Sequence, residues 1–259
     1  MSRNFELLSE AGRMHEIVQS QGESAAQAAA YAPADTAVMP VEDGFSSTAT
    51  LEMSGAVRDE VEKLVQKLFL SAQGPRRVVF AGTEPSSGCS WMAARVAETL
   101  AAQGRGTVCV VDCNLRTPGL HQQFGSENHH GLSDALTGNA PVREYASRWS
   151  KNLWYVSCGA SAEAGVSLLG SERMRARLAE LRTVFDYVLI DAASLNTCND
   201  AIVLGGLSDG VVLVLKANSS RRETARKSVH ELQTANVRVL GAVLNERTFP
   251  IPEALYKRL

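Results

Sequence analysis

The stretch TEPSSGCSW, residues 83–91, lies between the apolar run RRVVFAG and the helix-like run MAARVAETLAAQG. A strand, a loop of small residues and the start of a helix together form a cradle for an anion, because loop N-H groups turn inward and the helix adds its positive end. Gly88 and Ser90 fit the phosphate-loop pattern GxxxxGK[ST], whereas Thr83 replaces its first glycine and Cys89 its lysine. The loop alone therefore leaves two readings open, a phosphate site and an ordinary strand-to-helix turn.

Apolar runs of strand length alternate with helical patterns on both sides of this loop. The strand candidates are RRVVF, TVCVVD, LWYVS, DYVLID, GVVLVLKA and VRVLGAVLN, and the helix candidates include SWMAARVAETLAAQ, SERMRARLAELRTVF and SSRRETARKSVHELQTAN. The runs are continuously apolar, as expected for strands that are buried on both sides. The pattern predicts a three-layer α/β fold, in which a mostly parallel sheet has helices on both faces.

Carboxylates stand at two other predicted strand ends. TVCVVD ends in Asp112, with Arg116 just beyond it, and DYVLID ends in Asp191. Ligands of open parallel sheets bind beyond the carboxyl ends of the strands, and a buried carboxylate there is costly unless a metal, water or cation meets it. Beside a phosphate loop, these two aspartates and the Ser90 hydroxyl predict a Mg²⁺ site. Taken singly, each aspartate could equally cap the next helix.

Composition limits the classes of function. A formal net charge of -2 and a pI near 6.2 give no global attraction for nucleic acid or an anionic membrane. The five cysteines are scattered and contain no CxxC pair, which argues against a disulfide framework and a zinc site. No apolar run approaches the roughly 20 residues of a membrane-spanning helix, and the N-terminus lacks signal-peptide features, so we expect a cytoplasmic protein.

The chain divides into an N-terminal arm and one folded domain. Residues 1–54 are acidic, and the later part of this segment is rich in Ala, Ser, Gly and Pro without a period, which predicts a flexible arm or linker. A solvated tail and a docking arm for a partner are both compatible with this composition. The folded domain is predicted over residues 55–259, beginning with the amphipathic helix AVRDEVEKLVQKLFL.

Together these motifs resemble the cytoplasmic domain of bacterial tyrosine kinases of the capsule and exopolysaccharide type, a branch of the MinD- and ParA-like P-loop ATPases. Residues 83–90 echo the family's S-E-P-G-E-G-K-S loop, and DCNLRTPGLH at 112–121 follows its D-x-D-x-R and R-P-x-L-H motifs. GLSDALTGNA at 131–140 is close to GLSDVLxGxA, and FDYVLIDAASLNTCNDA at 185–201 is similar to the Walker B strand YDYVIIDTPPxxxxSDA. The resemblance covers about residues 56–259.

The resemblance implies that ATP or ADP binds here with Mg²⁺. Asp112 and Asp191 would be the catalytic residues, as base or metal partner, and Ser90 would be a further metal ligand. The residues that the resemblance assigns to the nucleotide are Thr83, Pro85, Ser87, Gly88, Cys89, Ser90, Trp91, Arg116 and Asn245. From the residues alone, Trp91 could instead pack on a neighbouring helix, and Asn245 could be a strand-end turn residue.

The resemblance also implies partners. A membrane-bound polysaccharide chain-length determinant, or co-polymerase, would bind the chain and hold it at the inner membrane, and the chain would form a homo-oligomer without binding nucleic acid. The family's ring-assembly motif E-x-x-R-x-x-R has only a loose counterpart in Glu60, Lys63 and Lys67, and its tyrosine-rich tail is reduced to Tyr256.

Three departures fall in the expected active centre. Cys89 replaces the lysine that neutralises phosphate charge, Asn114 replaces the second aspartate of D-x-D-x-R, and residues 192–194 read AAS where the family has Thr-Pro-Pro. Losing one transition-state donor costs roughly 3 kcal/mol, or about a hundredfold in rate. Arg116 or an arginine of a partner could supply the missing positive charge.

Three functions follow as alternatives. The first is a tyrosine-kinase-like ATPase of exopolysaccharide assembly with reduced activity. The second is a catalytically silent, nucleotide-responsive subunit that regulates chain length by binding its membrane partner. The third is a MinD- or ParA-like positioning ATPase, which is disfavoured because Thr83 and Glu84 stand near the place of that branch's early lysine.

Overall fold

The computed structural model describes residues 53–71, 74–160 and 165–247. The arm predicted at 1–54 lies outside these ranges except for its last two residues, and Tyr256 also lies outside them. The domain boundary therefore stays a prediction. Across the three described ranges, no helix combines the length and the apolar character that a membrane span requires.

Strands and helices alternate along the described chain, as the sequence pattern predicts. The strands are β1 (Arg77–Gly82), β2 (Val108–Asp112), β3 (Ala146–Ser150), β4 (Leu153–Val156), β5 (Tyr187–Ala192), β6 (Gly210–Lys216) and β7 (Val239–Asn245). The α-helices are α1 (Gly55–Phe69), α2 (Cys89–Ala102), α3 (Leu120–Gln123), α4 (Leu132–Thr137), α5 (Glu172–Val184), α6 (Asp200–Gly206) and α7 (Arg222–Thr234). A 3-10 turn, Val142–Tyr145, precedes β3.

The seven described strands form one sheet in the order β3-β4-β2-β5-β1-β6-β7. Every pair is parallel except β3 and β4, which are antiparallel, so the predicted mostly parallel sheet is confirmed. The sequence pattern does not reveal β3, because this edge strand reads ASRWS and leaves Ser147 and Arg148 exposed.

Helices cover both faces of the sheet, which confirms the three-layer α/β fold. On one face, α1, α2 and α3 pack on residues such as Phe80, Val110 and Leu189. On the other face, α4, α5, α6 and α7 pack on residues such as Val111 and Ile190. The central strands are buried on both sides, which explains their continuously apolar sequences.

The order of the central strands brings the predicted site together. β5 lies between β2 and β1, so the ends of these three strands meet at one edge of the sheet. Asp112 on β2 is the register partner of Asp191 on β5, and Asp191 is also the register partner of Phe80 on β1. Register partners in parallel strands have side chains on the same face, here the face that α2 covers.

Candidate functional site

The loop between β1 and α2 folds tightly on itself. A Cβ atom added to Gly82 would collide with the Ser87 hydroxyl, and one added to Gly88 would collide with the amide of Asn245. Gly88 also has a left-handed φ of +80°, which a residue without Cβ adopts at little cost. Gly82 is therefore favoured by the close approach of the chain, including the Glu84 carbonyl at 2.9 Å from the added Cβ, and Gly88 by its left-handed backbone.

The backbone of the loop has two features that favour binding of an anion. Ser86 has a left-handed φ of +59°, and left-handed residues within a turn let successive N-H groups converge on an anion. α2 begins directly after Gly88, and the amide of Met92 donates to the Gly88 carbonyl at 2.9 Å. The N-H groups of residues 89–91 then have no partner within the helix. Loop and helix end together have the geometry of an anion cradle.

Neighbouring strands hold the cradle in place. The amide of Thr83 donates to the Val214 carbonyl of β6 at 3.2 Å, and the Thr83 side chain is buried. The side-chain amide of Asn245, at the end of β7, donates to the Ser87 carbonyl at 3.0 Å. Pro85 lies exposed on the outer side of the loop. Asn245, one of the residues that the resemblance assigns to the nucleotide, thus supports the loop.

Asp112 and Asp191 are both fully buried, yet their hydrogen bonding differs. The Asp112 carboxylate accepts N-H groups from Asn114 at 3.1 Å, Gly119 at 3.2 Å and Leu120 at 3.0 Å. Gly119 is the N-cap residue of α3, so Asp112 accepts N-H groups at the start of this helix without being its N-cap residue. Within the described residues, neither oxygen of the Asp191 carboxylate has a partner at hydrogen-bonding geometry, although the Ser90 hydroxyl and the Cys89 thiol lie near enough to stabilise its charge.

This environment favours protonation of the pair. Burial raises the pKa of Asp112, and the negative charge of Asp191 raises it further, against the effect of the three backbone N-H groups. Burial also raises the pKa of Asp191, opposed by the nearby Ser90 hydroxyl and Cys89 thiol. Two adjacent carboxylates at the ends of buried strands thus lack a compensating cation within the described residues.

Cys89 provides no such cation. Burial raises the pKa of its thiol well above the ordinary value, and the charge of Asp191 adds to this rise. The thiol therefore stays neutral at physiological pH, and the thiolate that a helix N-terminus can favour does not form. The Ser90 hydroxyl lies close to the turn before α3, where a Cβ added to Gly119 would be 3.2 Å from it.

Trp91 and Arg116 engage protein groups. The Arg95 guanidinium lies 5.0 Å from the centroid of the Trp91 ring, and Trp91 packs half-buried against the layer of α1 and α2. The contacts of Trp91 therefore agree with the interpretation that its side chain packs on a neighbouring helix. The Arg116 guanidinium donates to the Asp200 carboxylate at 3.0 Å, so Arg116 already has an anionic partner at the start of α6.

One cation at this edge was missed by the sequence interpretation. Lys216 ends β6 and is the register partner of Asn245, the residue that holds the phosphate loop. Its ammonium group lies 2.9 Å from the Glu246 carboxylate, and Glu246 has a left-handed φ of +55°. The signal was present in the sequence, because GVVLVLK ends in a charged residue just as TVCVVD and DYVLID do.

The residues present fit a magnesium ion. The Asp191 carboxylate has two free oxygens, and the Ser90 hydroxyl and Asp112 carboxylate lie beside it. Within the described residues, no three His, Cys, Asp or Glu side chains form a metal-binding group. Such a sparse oxygen set suits Mg²⁺, which keeps several waters and binds through one or two carboxylates and substrate phosphates.

Comparison with known proteins identifies relatives of this chain. No protein-family model matches the chain. Tyrosine-protein kinase YwqD of Bacillus subtilis is 30% identical over 171 residues, which cover 66% of this chain and 72% of YwqD. The succinoglycan biosynthesis transport protein ExoP of Rhizobium meliloti is 31% identical over 188 residues, which cover 71% of this chain but 24% of ExoP.

A solved structure shares the fold. The chimerical protein CapA2B2 superposes with a TM-score of 0.69 at 22% identity, covering 74% of this chain and 86% of that chain. The fold described above is thus also found in an experimentally determined structure.

Proposed function

Because this chain belongs to the family of bacterial tyrosine kinases, we propose that its phosphate loop binds ATP or ADP together with Mg²⁺. The observation that carries the proposal is the fully buried Asp191 carboxylate, which has no hydrogen-bond partner among the described residues and lies beside the anion cradle. A buried carboxylate in this state is costly without a cation. Magnesium with a nucleotide phosphate would provide one.

Each residue of the site has a separate task in this proposal. Asp191 and Ser90 would hold the ion, directly or through water, while the N-H groups of residues 89–91 would bind phosphate oxygens. Asp112, fixed by three backbone N-H groups, would accept the proton of an attacking hydroxyl or hold a metal-bound water. Bound Mg²⁺ would neutralise phosphate charge.

The cradle lacks the lysine charge, and this limits turnover more than binding. Phosphoryl transfer depends on positive charge around the phosphates, and the neutral Cys89 thiol supplies none. Removing one well-placed transition-state donor costs about 3 kcal/mol, or about a hundredfold in rate. We therefore propose slow phosphoryl transfer in a protein that still binds nucleotide.

Lys216 is the cation best placed to compensate in part. It projects from the end of β6, the neighbour of β1, and its register partner Asn245 contacts the loop carbonyl of Ser87. Its present partner, Glu246, is itself partly exposed, so water can replace Lys216 as the partner of this carboxylate. Arg116 is less suited, because Asp200 holds it.

In the cell, we propose a nucleotide-responsive role in exopolysaccharide assembly. ExoP, which this chain matches over 24% of ExoP's length, is named as a succinoglycan biosynthesis transport protein. A membrane chain-length determinant is the proposed partner, which would hold the chain at the cytoplasmic side of the inner membrane. Helix α1 carries the loose counterpart of the ring-assembly motif. Oligomerisation through this helix is less strongly supported, because Glu60 and Lys63 of that counterpart pair with each other at 2.7 Å.

Nucleotide binding and ADP release by the purified protein test this function. Native protein should bind ATP with Mg²⁺ and release ADP slowly, and Cys89→Lys should raise the rate by about a hundredfold. Cys89→Met, which adds length without charge, is the matched control and should not gain activity. Native turnover that disappears in the Asp112→Ala/Asp191→Ala double variant supports the kinase function. Nucleotide binding without turnover supports the silent subunit.

A further inference from the structure

Four arginines surround one cleft at the end of the sheet opposite the phosphate loop. Arg76 and Arg77 stand at the start of β1, Arg182 lies in the last turn of α5, and Arg238 precedes β7. The cleft has a volume of about 650 Å³, within the range of small-molecule sites. Nothing in the proposed nucleotide function uses these residues.

The two aspartates in the cleft are already engaged by other groups. Asp209 accepts the backbone N-H groups of Arg76 at 2.8 Å and Arg77 at 2.9 Å, and it pairs with the Arg77 guanidinium at 2.5 Å. Asp186 accepts the N-H and the hydroxyl of Thr107 at 2.8 and 3.1 Å. Its distance to the Arg76 guanidinium is 3.9 Å, at the limit of an ion pair. These carboxylates therefore neutralise only part of the arginine charge.

Two of the arginines keep their full donor capacity. Over the part of the chain that the structure describes, the side chains of Arg182 and Arg238 take part in no ion pair or hydrogen bond. Arg76 lies 5.7 Å from the centroid of the Tyr187 ring, a contact that leaves guanidinium N-H groups available. The cleft thus presents several donors of one charge around a concave surface, which focuses a positive potential.

We propose that this cleft binds a ligand through a phosphate group. The guanidinium fork matches phosphate oxygens in a bidentate geometry, and three arginines on separate elements can approach one anion from different sides. Among the described residues, the aliphatic and aromatic lining is limited to Pro75, Phe185 and Val188, so recognition rests on charge. The phosphate can belong to a soluble molecule or to a lipid headgroup, since both offer the same oxygens.

Phosphate and pyrophosphate titrations at constant ionic strength, followed by amide and arginine side-chain NMR signals, test the proposal. We expect saturable shifts at residues 182, 209 and 238, and at least tenfold weaker binding in Arg182→Gln/Arg238→Gln, the loss of about one charge-assisted hydrogen bond. The double variant Arg222→Gln/Arg226→Gln removes the same charge from the exposed surface of α7 and should bind at the cleft like the native protein. Signals of residues 83–91 report the phosphate loop separately, so failure of one site is distinguishable from failure of the other.

Vesicles distinguish the two sources of phosphate. Binding to phosphatidylcholine vesicles containing phosphatidic acid, lost in Arg182→Gln/Arg238→Gln but kept in the control, would assign a lipid headgroup. Phosphate or pyrophosphate binding at the cleft without vesicle binding would assign a soluble ligand. The proposal is overturned if the native protein shows no cleft response to any probe, or if the double variant responds equally.

Discussion

Asp112 and Asp191 are register partners on adjacent parallel strands, and both side chains are completely buried. Three backbone N-H groups bind the first carboxylate, while the second has no hydrogen-bond partner in the described chain. Folding therefore places two acidic groups together in a weakly solvated position without a cation. Such an arrangement reduces stability. A bound metal ion would neutralise the two carboxylates and so offset this cost.

Asp191→Asn should stabilise the protein in the absence of magnesium. The raised pKa of Asp191 means that the folded state binds its proton more tightly than the unfolded state does. Its contribution to stability is then present at low pH and lost as pH rises through the folded pKa. At pH 8 the substitution should raise the free energy of unfolding by about 1–3 kcal/mol, and this gain should shrink towards pH 5.

Denaturant unfolding in EDTA at the two pH values measures this effect. Asp59→Asn, on the exposed face of α1, removes an equal charge and should change stability little. Destabilisation by Asp191→Asn at pH 8 would mean that the carboxylate already has a partner in the folded protein.

Magnesium and ADP should stabilise the native protein more at pH 8 than at pH 6. Burial and mutual repulsion raise the pKa of Asp112, and burial raises that of Asp191, so a metal ion competes with a proton for the pair. Thermal unfolding at fixed ligand concentration should show the larger rise in Tm at the higher pH. An equal rise in Tm at both pH values would show that ligand binding does not depend on the protonation of this carboxylate pair.

Two substitutions in the phosphate loop should act in opposite directions. Ser86 holds a left-handed φ without being glycine, so Ser86→Gly should remove about 1 kcal/mol of local strain. Gly88→Ala should destabilise the protein by a similar or larger amount and abolish nucleotide binding, because the new Cβ meets the Asn245 amide. Adding Asn245→Ala to Gly88→Ala should recover part of the lost stability. Chemical denaturation of the native protein and the three variants checks this, and no difference between the single substitutions would contradict the described loop.

Lys216 and Glu246 should have opposite effects on nucleotide affinity. Lys216→Met removes the proposed compensating charge and should weaken ATP binding by about tenfold, whereas Glu246→Gln frees Lys216 and should strengthen it. Lys227, which is exposed on α7 and lies 3.7 Å from Glu231, provides the control through Lys227→Met. Fluorescence titration with a labelled nucleotide gives the dissociation constants. Unchanged affinity in both variants would contradict the proposal that Lys216 compensates for the missing lysine.

Much of the fold could be predicted from the sequence, because strands buried on both faces carry long apolar runs and α2 and α5 carry helical patterns. β3 could not, since an antiparallel edge strand with exposed residues such as Arg148 has no apolar pattern. The pairing of Asp112 with Asp191 was expected from parallel topology. The raised pKa of the Cys89 thiol was not, because it depends on burial and on the charge of Asp191.

The supporting contacts of the site were also beyond sequence reasoning. Asn245 lies 158 positions from Ser87 in the chain, and only the sheet order brings the two together. The ion pairs of Arg116 with Asp200 and of Lys216 with Glu246 likewise depend on how loops leave adjacent strands. The residue types were visible, but which charges remain available to a ligand follows from three-dimensional contacts.

The site should bind a magnesium nucleotide even though Cys89 replaces the lysine. Calorimetric titration of ADP into the native protein, with and without Mg²⁺, tests it most directly when Asp191→Asn and the control Asp59→Asn are titrated in parallel. We expect Mg²⁺-dependent binding in the native protein and in Asp59→Asn, with the Mg²⁺ dependence lost in Asp191→Asn. Absence of ADP binding to the native protein, or an unchanged Mg²⁺ dependence in Asp191→Asn, would contradict it.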